Sequence, residues 1–252
     1  MSSIKEYLFE MEEERCIEWI RQRYGIDIDP NEYEEQWAEL AAEYSAMQEA
    51  EEDEAEFQWL NRHSHSDFFQ EFSAELATAS SLLTFGSNAL LTDTVNKLVY
   101  AHAVTLLEAL ISSVVRKLIV SEQSLLMNLV AKYKKLSGIT VTLKQIAEEP
   151  KIVESIVLKE LSEATFHNVS TINQVLNAMF DEHMQGLGLS EIGRICGKRH
   201  DIVHRNGKTV EDEAIELTTQ EVEHAIRSIR DFAEDLKSRI HNALTAQESV
   251  EF

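Results

Sequence analysis

Residues 92–119, TDTVNKLVYAHAVTLLEALISSVVRKLI, decide the fold. Their apolar positions Val95, Leu98, Val99, Leu106, Leu107, Leu110, Ile111, Val114, Val115, Leu118 and Ile119 recur at three- and four-residue steps. That period lays a wide apolar stripe along one side of a helix. Thr92-Asp93 offers the side-chain oxygens that cap a helix N-terminus. The most apolar part, Leu98 to Val120, still carries His102, Glu108, Arg116 and Lys117. Each charge would be costly in lipid, so the stretch reads as the central helix of a bundle and not as a membrane span.

Toward the N-terminus, Phe68, Phe72, Leu76, Leu82, Leu83 and Phe85 continue the helical spacing up to a break at Gly86. Before them, residues 1–25 predict one helix, with Ile4, Leu8, Met11, Ile17, Ile20 and Tyr24 on a face and Gly25 as its stop. A turn follows through Pro30, and a second helix spans about Glu32 to Ala50, with Tyr33, Trp37, Leu40, Ala41 and Tyr44 on one side. The acidic run Glu49 to Glu56 reads as a solvated helix face or a mobile link. On the C-terminal side, Ile139 to Thr142 reads as a short extended piece. Thr142 and Gln145 then form a capping box for a helix that ends near Pro150. Helices are expected over Ile152–Ala164 and, behind a Ser170 cap, over Thr171–Met184. Gly186 and Gly188 mark a loop, Ser190 opens another helix toward Asn206-Gly207, and Thr218-Thr219-Gln220-Glu221 caps a last one.

Composition agrees with a helical chain. Of 252 residues only two are Pro and eight Gly, too few breakers to bound many short strands. The reading is an all-α bundle over residues 76–252 with an acidic helical extension over 1–75. The two cysteines, Cys16 and Cys196, lie far apart within helical patterns, which suits a reducing compartment. The acidic N-terminus has no apolar leader, and a cytoplasmic location without membrane attachment is expected. The net charge of −22 weighs against a phosphate-bearing partner, but it is unevenly placed. Residues 1–75 hold 22 acids and 5 bases, whereas 76–252 hold 23 acids and 18 bases. Within the second part, Arg194, Lys198, Arg199, Arg205 and Lys208 stand against one acid, Asp201.

On a helical wheel of about 100° per residue, Ile192, Ile195, Cys196, Ile202 and Val203 share a side. Arg199 falls in the middle of it, while His200 and His204 lie together at its edge. A guanidinium on an apolar face needs a partner. Glu108 on the central helix, a second protomer or a phosphate would each serve. The pair His200 and His204 also has the i,i+4 spacing of metal-binding helices. Spacing suggests no third ligand, and Asp201 is a poor substitute for the glutamate base of a zinc protease, so no metal is assigned.

Arg199-His200-Asp201-Ile202-Val203-His204 is similar to the R-x4-H signature of the HEPN superfamily (higher eukaryote and prokaryote nucleotide-binding domains). The helix bearing Leu106-Leu107-Glu108-Ala109-Leu110-Ile111 resembles that family's early core helix, and Arg205-Asn206-Gly207 followed by a closing helix fits as well. The resemblance covers about residues 90–245 and implies a dimeric, metal-independent endoribonuclease that needs no cofactor. Two motifs would then meet across the dimer interface, and the 2′-hydroxyl of RNA would attack the adjacent phosphate to leave a 2′,3′-cyclic phosphate. It further implies that Arg199 stabilises transition-state charge and His204 moves protons, with His200, Asp201 and Glu108 in support. Asp201 would orient a histidine or pair with Arg205, and Arg194, Lys198, Arg205 and Lys208 would hold flanking phosphates. A binding module for RNA or protein that does not cut is the other expectation. Some relatives are modified at a tyrosine two residues after the motif histidine; here that position is Asn206. Toxin or antiphage-defence roles are a family-level expectation. The acidic extension is read as regulatory or as a surface for a protein partner.

Overall fold

A computed structural model of the chain describes residues 2–85, 89–205 and 207–248. The expected break at Gly86, and Asn206 behind the motif, lie outside the described residues. Ten α-helices and no strand occur among the described residues, so the all-α reading holds. Ile139–Thr142 is loop and not an extended strand.

Two compact units divide the chain, Met1–Trp59 and Leu60–Phe252. The division falls earlier than the 75/76 boundary read from charge, because Leu60, Phe68, Phe69 and Phe72 are all buried in the core of the second unit. Charge marks the solvated surface, whereas these aromatic side chains decide which core the segment joins.

In the first unit α1 (Ser2–Tyr24) ends at Gly25, whose φ of 70° is open to glycine at little cost and whose N–H donates to the Arg21 carbonyl at 2.9 Å. The turn returns the chain into α2 (Glu34–Arg62). A small core forms from Cys16, Ile20, Ile28 and Tyr44, with Trp19, Trp37 and Leu40 packed against it. The acidic run is continuous helix, and its residues 49–55 are exposed, so it is a solvated face.

The second unit is built around α4 (Ala89–Ser121). Around it pack α3 (His65–Ser81), α5 (Gln123–Lys132), α7 (Ile152–Ser162), α9 (Leu189–His204) and α10 (Thr219–Glu248). α6 (Leu143–Glu148) and α8 (Val169–Phe180) complete the order. Leu107, Ile111 and Leu118 are fully buried, each contributing about 1.5–3 kcal/mol relative to exposure. The apolar stretch Leu91–Ser121 is long enough to cross a membrane by length and composition, but half of its apolar 18-residue window is buried inside this unit, as in a core helix. Leu98 departs from the expected stripe: it is 65% exposed.

Several helix boundaries differ from expectation for local reasons. α4 begins at Ala89, so Thr92-Asp93 lies inside it and is not its cap. Asp93 pairs instead with Lys97 at 2.7 Å and accepts from the Leu217 N–H at 3.5 Å. Asn168, not Ser170, caps α8, its side chain accepting from the Ser170 N–H at 2.9 Å. α8 then stops at Phe180, and one 3-10 turn over Asp181–Met184 replaces the expected final helical turn. The capping boxes at Thr142/Gln145 and Thr218/Glu221 are both formed.

Candidate active site

α9 carries the motif, and its apolar side explains where it sits. Ile192, Ile195 and Cys196 are buried against α4 and α8, and Ile202 packs partly against the same core. Val203 does not join them; it is 48% exposed and lines a cleft with Leu98 and Ala101 of α4. The Tyr100 hydroxyl donates to the Ile195 carbonyl at 3.4 Å. At the C-terminus the Gly207 N–H donates to the Ile202 carbonyl at 3.0 Å, with Gly207 at φ 75°. Such a wrapped end requires the left-handed region at that position. Opposite α9, Asn96 is buried at 2% exposure and donates to the Leu217 carbonyl at 2.7 Å, which ties α4 to the approach to α10.

The side chains of the motif separate into two groups. His200 and His204 are exposed, with ring centroids 4.7 Å apart and planes at 42°. Arg199 is half-buried, and its Nε is buried without a hydrogen bond. No ion pair joins it to Glu108. Glu108 turns to His167, whose Nδ1 lies 3.0 Å from Glu108 Oε1, within ion-pairing range but out of hydrogen-bond alignment. The Cys196 thiol is pushed up to about 11, first by burial and then by Glu108, with Arg199 acting in the opposite sense. A thiol held in that form is a poor nucleophile at neutral pH, so its place here is packing.

The expected basic patch is altered in space. Arg194 pairs with Glu191, and Arg205 pairs with Asp201. Lys198 reaches Glu221 at 3.5 Å, and Lys208 reaches Asp212 at 2.7 Å. Asp201 therefore serves Arg205 and not a histidine. Three of these four acids lie outside the 194–208 window, which is why counting along the sequence missed them. Arg199 alone among the five bases makes no hydrogen bond or ion pair through its side chain with the described residues. Among those residues no third His, Cys, Asp or Glu gathers with His200 and His204. His167 was not legible in the sequence: it is 59 positions from Glu108 and carries no motif.

An all-helical bundle whose core-packed α9 carries an arginine and a histidine with four residues between them is set in a family by comparison of sequences. The RiboL-PSP-HEPN family profile matches residues 69–242. The chain belongs to this family, within the HEPN superfamily. No curated protein and no solved structure matches the chain.

Proposed function

We propose that the second unit is a metal-independent endoribonuclease that uses Arg199 and His204. Membership in the HEPN superfamily suggests a nuclease-like or RNA-related module, and the finer reading rests on one observation. Arg199 keeps an uncommitted guanidinium on a surface where each neighbouring base is already paired. A fork of donors without a protein acceptor is suited to phosphate oxygens, most of all when charge builds up on them during 2′-hydroxyl attack. His204, exposed one turn beyond, suits the proton transfers because a solvent-facing imidazole can both accept and donate a proton. His200, stacked beside it, is placed to orient the ring or the 2′-hydroxyl.

A second copy of the chain completes this reading. The exposed apolar side chains of Leu98 and Val203 line a cleft with Ala101, Ile202 and Gly207, with Asp93, Thr94 and Lys97 also on its wall, and His204 follows Val203 in the chain. A two-fold contact over that face would bring two sets of Arg199 and His204 together. RNA binding without cleavage is favoured by a different observation, the pairing of all four flanking bases, which weakens attraction to phosphate.

Cleavage of RNA in the presence of EDTA decides between them. Wild-type protein should leave a 2′,3′-cyclic phosphate end, and Arg199→Ala and His204→Ala should each slow cleavage by about a hundredfold or more while circular dichroism stays unchanged. Wild-type rates in both variants would refute the enzymatic reading.

A further inference from the structure

Among the described residues, two buried side-chain atoms lack a hydrogen bond, Glu108 Oε1 and Arg199 Nε. They carry opposite charges and come from two helices that pack on each other, α4 and α9. Both act through space on the same buried thiol, Cys196, Glu108 raising and Arg199 lowering its proton affinity. Leaving a buried charged group without a partner is costly, so a direct Glu108–Arg199 bond would be the default in an empty site. It is not formed. What holds Glu108 away is His167, in the connection between α7 and α8. That connection is fixed on either side of the imidazole, by Phe166 buried at 3% exposure and by Asn168 capping α8. His167 is thus presented to Glu108 by a rigid corner.

We propose that His167 is a positioning residue of the site: by engaging Glu108 it keeps Arg199 un-neutralised and open to an RNA phosphate. The inference rests on Arg199 being a phosphate-binding group, and it assigns Glu108 the role of an exchangeable counter-ion. With a proton on Nδ1, His167 attracts the carboxylate. Without His167 the carboxylate is left on a helix packed against the one that carries Arg199, and a shift toward that guanidinium would oblige RNA to displace it. Neither residue touches the reacting atoms. The coupling runs from His167 through Glu108 to Arg199.

The test uses the full chain and a 2′-O-methyl RNA oligonucleotide, which binds but cannot undergo 2′-hydroxyl attack, with the matching RNA as cleavage substrate. His167→Ala should weaken oligonucleotide binding about tenfold, the scale of one charge-assisted contact. Adding Glu108→Gln in the same chain should restore it to within about twofold. A role for His167 in packing alone would give no rescue, and an unrescued double variant overturns the proposal, as does wild-type affinity in His167→Ala. Should His167→Ala not fold, Glu108→Gln decides: it must bind at least as tightly as wild type, and weaker binding shows that the carboxylate assists Arg199 and refutes the exchange. If wild-type protein binds the oligonucleotide but cuts no RNA, the cleavage reading fails while the binding series still decides the role of His167. Absence of any RNA binding by wild type overturns it.

Discussion

Asn96 and Arg199 show how two polar residues on apolar helix faces meet the same requirement differently. Asn96 is satisfied, its amide bonded to the Leu217 carbonyl and within 3.5 Å of Thr219 Oγ1. Truncation removes one of the ties between α4 and the segment leading into α10. Asn96→Ala should therefore cost about 1–3 kcal/mol in urea unfolding of the full chain, because a buried carbonyl is left without its donor. A loss below about 0.5 kcal/mol would mean that water takes the place of the amide. Arg199 differs in that its cost is retained, and an unsatisfied donor that a fold tolerates is a sign of a ligand-facing role. In the sequence both residues look alike, as polar interruptions of an apolar stripe, and whether a carbonyl such as that of Leu217 comes within reach is set by tertiary packing.

At the scale of elements, α10 depends on the box at its N-terminus. The Glu221 carboxylate is held below its ordinary value of 4.5, chiefly by the Thr218 backbone N–H and hydroxyl and then by Lys198. A carboxylate with a depressed folded-state pKa contributes stability that is fully present above the unfolded value. That contribution fades as pH falls through the lower, folded value. Thr218→Ala should destabilise the protein by about 1 kcal/mol at pH 7 and flatten the loss of stability below pH ~4.5, measured by thermal melts across pH. The variant keeps the backbone N–H, so the flattening is partial, and it is an unchanged acid limb in Glu221→Gln that would remove Glu221 from that account. Elements announced by local chemistry were readable in advance, among them this box, the Thr142/Gln145 box and the Gly25 stop. α5 was not, since Glu122 caps it without a side-chain bond and its ten residues follow α4 with almost no interruption. The start of α4 was misplaced for a related reason: Thr92-Asp93 has the chemistry of a cap, but Asp93 is engaged by Lys97 and the Leu217 N–H.

For the whole molecule, Leu98 and Val203 are two of the apolar side chains that the core leaves exposed, and they line one cleft between α4 and α9. Both were assigned to buried faces because period alone cannot tell a face that meets its own core from one that meets another chain. If a second copy covers them, light scattering at micromolar concentration should report a dimer. Leu98→Glu should then yield monomer with unchanged helical content and reduced RNA cleavage. A monomeric wild type would leave that apolar face without the occupant proposed for it.

The pairing of Arg194, Lys198, Arg205 and Lys208 with nearby carboxylates has a thermodynamic consequence for any polyanion that docks on α9. Each phosphate that captures one of these bases releases a condensed cation from the RNA but frees a carboxylate that recruits a cation in turn. The two ion-exchange terms largely cancel, and only Arg199 contributes a net release. Five independent bases would give a slope of log K against log salt of about −3.5 on single strands, at about −0.7 for each phosphate neutralised. The arrangement on α9 implies a slope near −0.7 per protomer, so that RNA affinity would persist to salt concentrations at which an ordinary basic patch has let go.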